Sequence, residues 1–192
     1  DNYAFETQIL AKGNSQMKKR YAGVLLPITA LPSPYGVGTM GAQAKDFVEF
    51  LARAHQKVWQ VLPLVPTGYG DSPYASSCAI AGSPYLSDIE ALIAQGLLTK
   101  EEAEEYSCAA AGEEIGRVNY EALFYRRIPL LKLAFSRFDR QVPAFQAFLE
   151  EGVFADFAAF MAIKEAHGWR ALSTWEEKYR VRDEEALNAF LA

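Results

Sequence analysis

The apolar positions of this chain change period partway along it. The first apolar block, Gly23-Val-Leu-Leu-Pro-Ile28, is continuous rather than alternating. A short run of that kind, bounded by glycine and by a Pro/Ser/Gly segment, predicts a fully buried strand of the parallel-sheet type over residues 23–28. Residues 31–41 hold Pro32, Pro34, Gly36, Gly38 and Gly41. That density breaks both periodicities and predicts a loop. Over residues 42–54, Ala44, Phe47, Val48, Phe50 and Leu51 form one apolar stripe, with Gln43, Lys45, Asp46, Glu49 and Arg53 opposite. This is the pattern of an amphipathic helix. Val58-Trp-Gln-Val-Leu-Pro-Leu64 predicts a second buried strand. Strand, helix and strand in that order make a β-α-β unit, which implies a parallel sheet.

Beyond residue 64 no strand signal of comparable strength appears. Residues 66–84 form a long segment of Gly, Ser, Pro and Tyr, and a loop of that length inside a compact domain is usually functional. Helical signals follow. Ser87-Asp88 caps a helix that runs to residue 95 and stops at Gly96. Thr99 with Glu102 makes a capping box for residues 99–106. Residues 120–138, 144–150, 154–167 and 183–192 are further amphipathic candidates. The aromatic run Phe145, Phe148, Phe154, Phe157 and Phe160, and the cluster Leu130, Leu131, Leu133 and Phe135, read as core.

Composition narrows the classes. Half of the 192 residues are apolar and the formal charge is −5, so nothing draws the chain to nucleic acid or to an anionic membrane. No stretch approaches the ~20 apolar residues of a membrane span. Cys78 and Cys108 sit in no zinc or disulfide spacing, and read as reduced thiols of a cytoplasmic protein. His55 and His167 lie far apart, so no His-based metal site is expected. Residues 1–16 lack the apolar stretch of a signal peptide. Met17, ahead of Lys18-Lys19-Arg20, reads as a natural start after a 16-residue leader, with a genuine extension as the alternative.

The chemistry is concentrated in residues 59–74. Gly68-Tyr-Gly-Asp-Ser-Pro-Tyr74 places Tyr69, Asp71, Ser72 and Tyr74 on one loop with Thr67, Ser76 and Ser77, stiffened by prolines at 63, 66 and 73. A pyranose ring has apolar C–H faces that stack on Tyr, and hydroxyls that bond to Ser, Asp and backbone groups. The residues themselves leave two readings open: a sugar-contacting loop, or an ordered structural loop in which Asp71 caps its own turn. Trp59, in mid-strand, reads as interior.

These residues resemble the 4-α-glucanotransferases (amylomaltases, glycoside hydrolase family 77). The stretch from Arg20 to Gly38 is similar to the opening of that family, and residues 59–74 match its next segment almost letter for letter. Ala81-Gly-Ser-Pro-Tyr-Leu86, Arg117-Val-Asn-Tyr120 and Phe160-Met-Ala-Ile-Lys-Glu-Ala-His167, with Trp175 after it, are weaker echoes. The resemblance implies an α/β fold: the first two parallel strands of a (β/α)8 TIM barrel with a mainly helical inserted subdomain. Residues 17–88 would begin the barrel and carry the substrate loop; residues 89–192 would form the subdomain. It implies transfer of α-1,4-glucan segments by a retaining mechanism, with no cofactor and no metal. The catalytic carboxylates of the family follow later barrel strands, so no catalytic residue is expected here, and the chain reads as an amino-terminal part that is inactive alone, missing the rest of the barrel. Asp71, Ser72 and Tyr74 match the family's donor-site border, with Tyr74 the stacking platform. Tyr69 matches a tyrosine of an outer glucan site, and Phe124 stands where some members have another. Ser83 replaces the usual Asn. A related α-amylase-type hydrolase and a non-catalytic glucan-binding module are the alternatives.

Overall fold

The computed structural model describes residues 20–68, 70–107 and 116–191. Tyr69, Cys108 and the leader lie outside them. Strand β1 (Gly23–Leu25) and strand β2 (Val58–Gln60) form a two-stranded parallel sheet, with Gly23 opposite Val58, Val24 opposite Trp59 and Leu25 opposite Gln60. Helix α1 (Ala42–Arg53) makes the crossover. From there the described elements are helical: α2 (Ile89–Ala94), α3 (Lys100–Glu105), α4 (Tyr120–Arg137), α5 (Pro143–Glu150), α6 (Ala155–Ala166), α7 (Glu177–Arg180) and α8 (Glu184–Leu191), with short 3-10 turns at Ile28–Ala30, Pro84–Leu86 and Leu172–Thr174. No described helix is long and apolar enough to cross a membrane.

Both strands are shorter than their apolar runs. After Leu25 one more rung forms, Leu26 N–H to the Gln60 carbonyl at 3.0 Å. The ladder ends there, where the chain turns at Pro27. Residues 28–30 turn into a 3-10 helix instead. Nor are the strands buried on both faces as the continuous runs suggest. Each shows one half-buried residue between two exposed ones. The half-buried residue of β2, Trp59, faces Phe47 of α1 at 5.0 Å and donates its Nε1–H to the Leu26 carbonyl at 2.8 Å. Among the described residues nothing covers the opposite side, so Leu25 and Val58 stay in solvent.

The core forms three clusters, and residues 31–41 stitch them together. Leu31 joins Ile28 and Leu86 beneath the sheet. Tyr35 joins Ile89, Leu98, Ala103, Leu130 and Ala134 between the helices. Val37 joins Tyr85 and Leu123. A loop this deep must satisfy its backbone, and Arg127, buried in α4, donates to the Tyr35 carbonyl at 3.1 Å. Helix starts follow their sequence signals. Asp88 accepts from Glu90 N, Thr99 and Glu102 complete a reciprocal capping box, and Asn119 accepts from Ala122 N. Glu102 also receives both guanidinium nitrogens of Arg137 at 2.6 and 2.7 Å, which ties α3 to the end of α4.

One apolar stripe and two expected core groups are less buried than their pattern suggests. Val48 and Phe50 of the α1 stripe are exposed, because the helix lies on a sheet of only two strands and buries only the Ala44, Phe47 and Leu51 side. In the α4 cluster Leu130 is buried and Leu131 and Leu133 pack against it, but Phe135 is exposed, stacking on Phe138 and meeting Phe145 edge-on instead. Helix α5 buries no residue at all, and Phe148 is 46 % exposed with its ring against Phe154. These phenylalanines make surface pairs because helix α5 has a neighbour on too little of its circumference. The short α7 carried no sequence signal; it follows Trp175, whose indole is buried against Phe160 and His167.

Candidate functional site

An open-mouthed cavity of about 110 Å³ lies at the carboxyl ends of the two strands. Its walls come from four places: the chain leaving β1 (Pro27, Ile28, Thr29), the chain leaving β2 (Leu62 to Val65), the loop over residues 67–76, and the Pro84–Leu86 turn with Tyr120 at the start of α4. The carboxyl side of a parallel sheet is where α/β folds place their ligands.

The loop is a small closed structure. An antiparallel bridge joins Thr67 and Ser76, and Gly68 N donates to the Ala75 carbonyl at 2.8 Å. Inside it, Asp71 N donates to the Gly68 carbonyl at 3.1 Å and Ala75 N to that of Ser72 at 3.0 Å, giving two tight turns in succession. Gly70 (φ 87°) and Asp71 (φ 52°) both adopt left-handed backbone. Glycine does so freely, and Asp tolerates it because its short polar side chain bonds locally. Ser76 Oγ lies 2.6 Å from the Pro66 carbonyl and accepts from Cys78 N, pinning the base of the loop.

The predicted site residues separate into three groups. Asp71 lines the cavity, half-buried, and accepts a hydrogen bond from Thr67 Oγ1 at 3.3 Å. It therefore does what a turn-capping carboxylate does and also faces the opening. Ser72 and Tyr74 are exposed and do not line the cavity; Ser72 Oγ accepts from Tyr74 N, and the Tyr74 residue is 75 % exposed. Phe124 is elsewhere on α4, its ring edge-to-face with Trp169 at 4.9 Å and with Tyr125 at 5.2 Å, and it does not line the cavity. Ser83 lines it, and its backbone N–H donates to the Leu64 carbonyl.

Two tyrosines were not singled out from the sequence. Tyr85 and Tyr120 both line the cavity, their ring centres 6.1 Å apart. Burial first, then the negative charge of Asp71 and then Tyr120, push the Tyr85 phenol up to about 12. Each sits inside a motif already noted, Ser-Pro-Tyr85 and Val-Asn-Tyr120, but only the fold shows that segments 35 residues apart meet across one opening. Among the described lining residues Asp71 is the one carboxylate. Among the described residues no group of three or more His, Cys, Asp or Glu side chains is arranged to hold a metal ion.

Comparison with known proteins agrees with this geometry. The sequence profile of the 4-alpha-glucanotransferase family matches residues 26–192. The chain is 44 % identical over 175 residues to the 4-alpha-glucanotransferase of Thermus thermophilus, covering 88 % of this chain and 33 % of that protein. It is 41 % identical over 179 residues to the 4-alpha-glucanotransferase of Streptococcus pneumoniae, covering 91 % and 35 %. Among solved structures, an amylomaltase from Streptococcus agalactiae in complex with acarbose superposes with a TM-score of 0.81 at 41 % identity, over 90 % of this chain and 35 % of that one. The chain thus spans about a third of the length of the relatives it matches. With a matching profile over most of its length, and an open cavity at the strand ends lined by Asp71 and Pro73 of the loop, the chain belongs to the 4-α-glucanotransferase family, glycoside hydrolase family 77.

Proposed function

We propose that this chain supplies one wall of the glucan cleft of a 4-α-glucanotransferase, which moves α-1,4-glucan segments between maltooligosaccharides or starch chains with retention of configuration. The observation that carries this reading is the placement of the 67–76 loop: it stands closed and pinned at the carboxyl ends of both strands, with Asp71 over an open cavity and Tyr74 in solvent. Tyr74 offers a stacking face beside the bond to be cleaved. Asp71 and Ser72 give polar contacts to the donor sugar. Tyr69 and Phe124 belong to an outer glucan site; Phe124 keeps an aromatic surface there without a hydroxyl.

Retention requires two carboxyl groups about 5–5.5 Å apart. The described lining holds Asp71 alone, so the nucleophilic Asp and the acid/base Glu belong to the two thirds of the relatives' length that this chain does not match. In that scheme the Asp attacks C1 while the Glu protonates the departing glycosidic oxygen. An acceptor 4-hydroxyl then gives its proton to the Glu and displaces the Asp from C1. A further Asp stabilises the charge between these steps. Subsites along the loop hold the acceptor in place, and exclusion of water favours transfer over hydrolysis. The scheme needs no metal or cofactor.

The same reading makes residues 17–88 the opening of a (β/α)8 barrel and residues 89–192 its helical subdomain. The uncovered Leu25 and Val58 support it, since a barrel strand is flanked on both edges and covered on both faces. We place the protein in the cytoplasm on its two separated cysteines. Maltotriose is the test substrate. The complete transferase carrying this sequence converts two maltotrioses to glucose and maltopentaose, and the 192-residue chain alone does not. Glucose without longer products from the complete protein would favour a hydrolase; maltopentaose from the chain alone would overturn the division of roles.

A further inference from the structure

Tyr85 and Tyr35 are buried to the same extent, 8 % of each residue being exposed, yet they differ in one respect. Tyr35 donates its O–H to Glu90 Oε1 at 2.6 Å. The Tyr85 hydroxyl makes no hydrogen bond to another described residue and is not sealed off as a buried orphan, so it is left open at the cavity wall. Its ring is held firmly, packed with Val37 and Leu123 and set against Tyr120 at 6.1 Å. The residue lines the cavity, and the groups acting on its oxygen, Asp71 and Tyr120, line it too. A well-packed ring with an unpartnered hydroxyl at a cavity wall is a preorganised contact for something that enters the cavity.

The chemistry of the pair specifies what that is. A phenol is protonated at neutral pH, and burial and the Asp71 charge only reinforce this, so it can donate. Asp71 is an acceptor only, and Thr67 Oγ1 holds one of its oxygens at 3.3 Å, leaving acceptor capacity on the carboxylate. A donor and an acceptor that line one cavity from two of its walls suit a ligand with adjacent hydroxyls, each able to give one hydrogen bond and take another.

We propose that Tyr85 is a substrate-contacting residue, donating its O–H to one hydroxyl of a glucose unit whose neighbouring hydroxyl donates to Asp71. The pair then reads a vicinal diol of one ring in the cavity. This rests on the reading of the cavity as part of a glucan cleft.

Tyr85→Phe keeps the ring and removes only the hydroxyl. Calorimetric titration of the complete transferase carrying this sequence with acarbose, in the wild type, Tyr85→Phe and Asp71→Asn forms, tests it. Tyr85→Phe is expected to raise Kd about five- to tenfold, the effect of one lost hydrogen bond. Its melting temperature should equal or exceed that of the wild type, since no protein hydrogen bond is lost. An unchanged Kd for Tyr85→Phe beside a weakened Asp71→Asn would overturn the role of Tyr85 and leave the cleft standing. A lowered melting temperature with unchanged Kd would make the hydroxyl structural and also overturn it. Wild-type binding that neither variant alters, or no binding at tens of millimolar acarbose, would overturn the cleft reading together with the inference.

Discussion

Gly38→Ala is the substitution most revealing of how the cavity wall is built. A Cβ at residue 38 would lie 2.0 Å from the Ile28 carbonyl oxygen and 2.8 Å from both the Leu31 nitrogen and oxygen. Ordinary contact begins near 3.4 Å, so the first of these alone calls for more than an ångström of movement. All three atoms are backbone, and no side chain can rotate away. They belong to the turn tied by Leu31 N to the Ile28 carbonyl at 3.0 Å and by Gly38 N to the Thr29 carbonyl at 3.2 Å. Overpacking of a rigid site costs about 1–3 kcal/mol and each weakened hydrogen bond about 1 kcal/mol more, so a loss of about 3 kcal/mol is expected. That is a large share of the roughly 5–15 kcal/mol that holds a domain together. The same turn presents Ile28 and Thr29 to the cavity, so the wall deforms with it. Urea unfolding followed by circular dichroism gives the number. Gly82→Ala is the matched control: no atom lies within 4 Å of its Cβ and its φ is not positive, so a change within about 0.5–1 kcal/mol is expected. A Gly38→Ala protein as stable as the control would refute the close-approach argument.

Other expectations follow from single features. Leu123 is fully buried between Val37 and Tyr85, and Leu123→Ala should cost about 2–5 kcal/mol in the same unfolding assay. Hydrogen bonds from Arg137, and then from the Thr99 backbone, hold the Glu102 carboxyl at about 2, below its ordinary 4.5. A depressed carboxyl stabilises the fold above its unfolded pKa and loses that contribution as pH falls through the folded value. The melting-temperature gap between wild type and Glu102→Gln should therefore be full at neutral pH and close between about 4.5 and 2; a gap that persists at pH 2 would contradict the assignment. Tyr74→Ala in the complete transferase should lower turnover on maltotriose at least about tenfold, as loss of a stacking platform would, and an unchanged rate would remove Tyr74 from the site.

Much of this was legible in the sequence for local reasons. Caps and breakers act within a few residues, so Asp88, Thr99 with Glu102, and Gly96 set their helix boundaries wherever the helices go. The parallel pair could be read from two apolar runs around one amphipathic helix. What could not be read is how much neighbour each apolar face has. Leu25, Val58 and Phe50 look like core residues to any periodicity argument, and they are exposed because a two-stranded sheet covers them on one side only. Strand length depended on where the chain turns off the sheet at Pro27, which the apolar run does not mark. At the site, Asp71 and its loop were visible as a motif, because glycines and prolines fix that loop from within. Tyr85 and Tyr120 were not, since their hydroxyls gain meaning only where the Pro84–Leu86 turn meets the start of α4.

The claim on which the account depends is that the rigid 67–76 loop borders a carbohydrate cleft. Crystals of the chain soaked in maltoheptaose test it most directly. The account predicts a sugar ring in the cavity between Asp71 and Tyr85, with the chain of glucose units passing the Tyr74 ring on its way out. Sugar bound on another face, with the 67–76 loop and the cavity unoccupied, would contradict it.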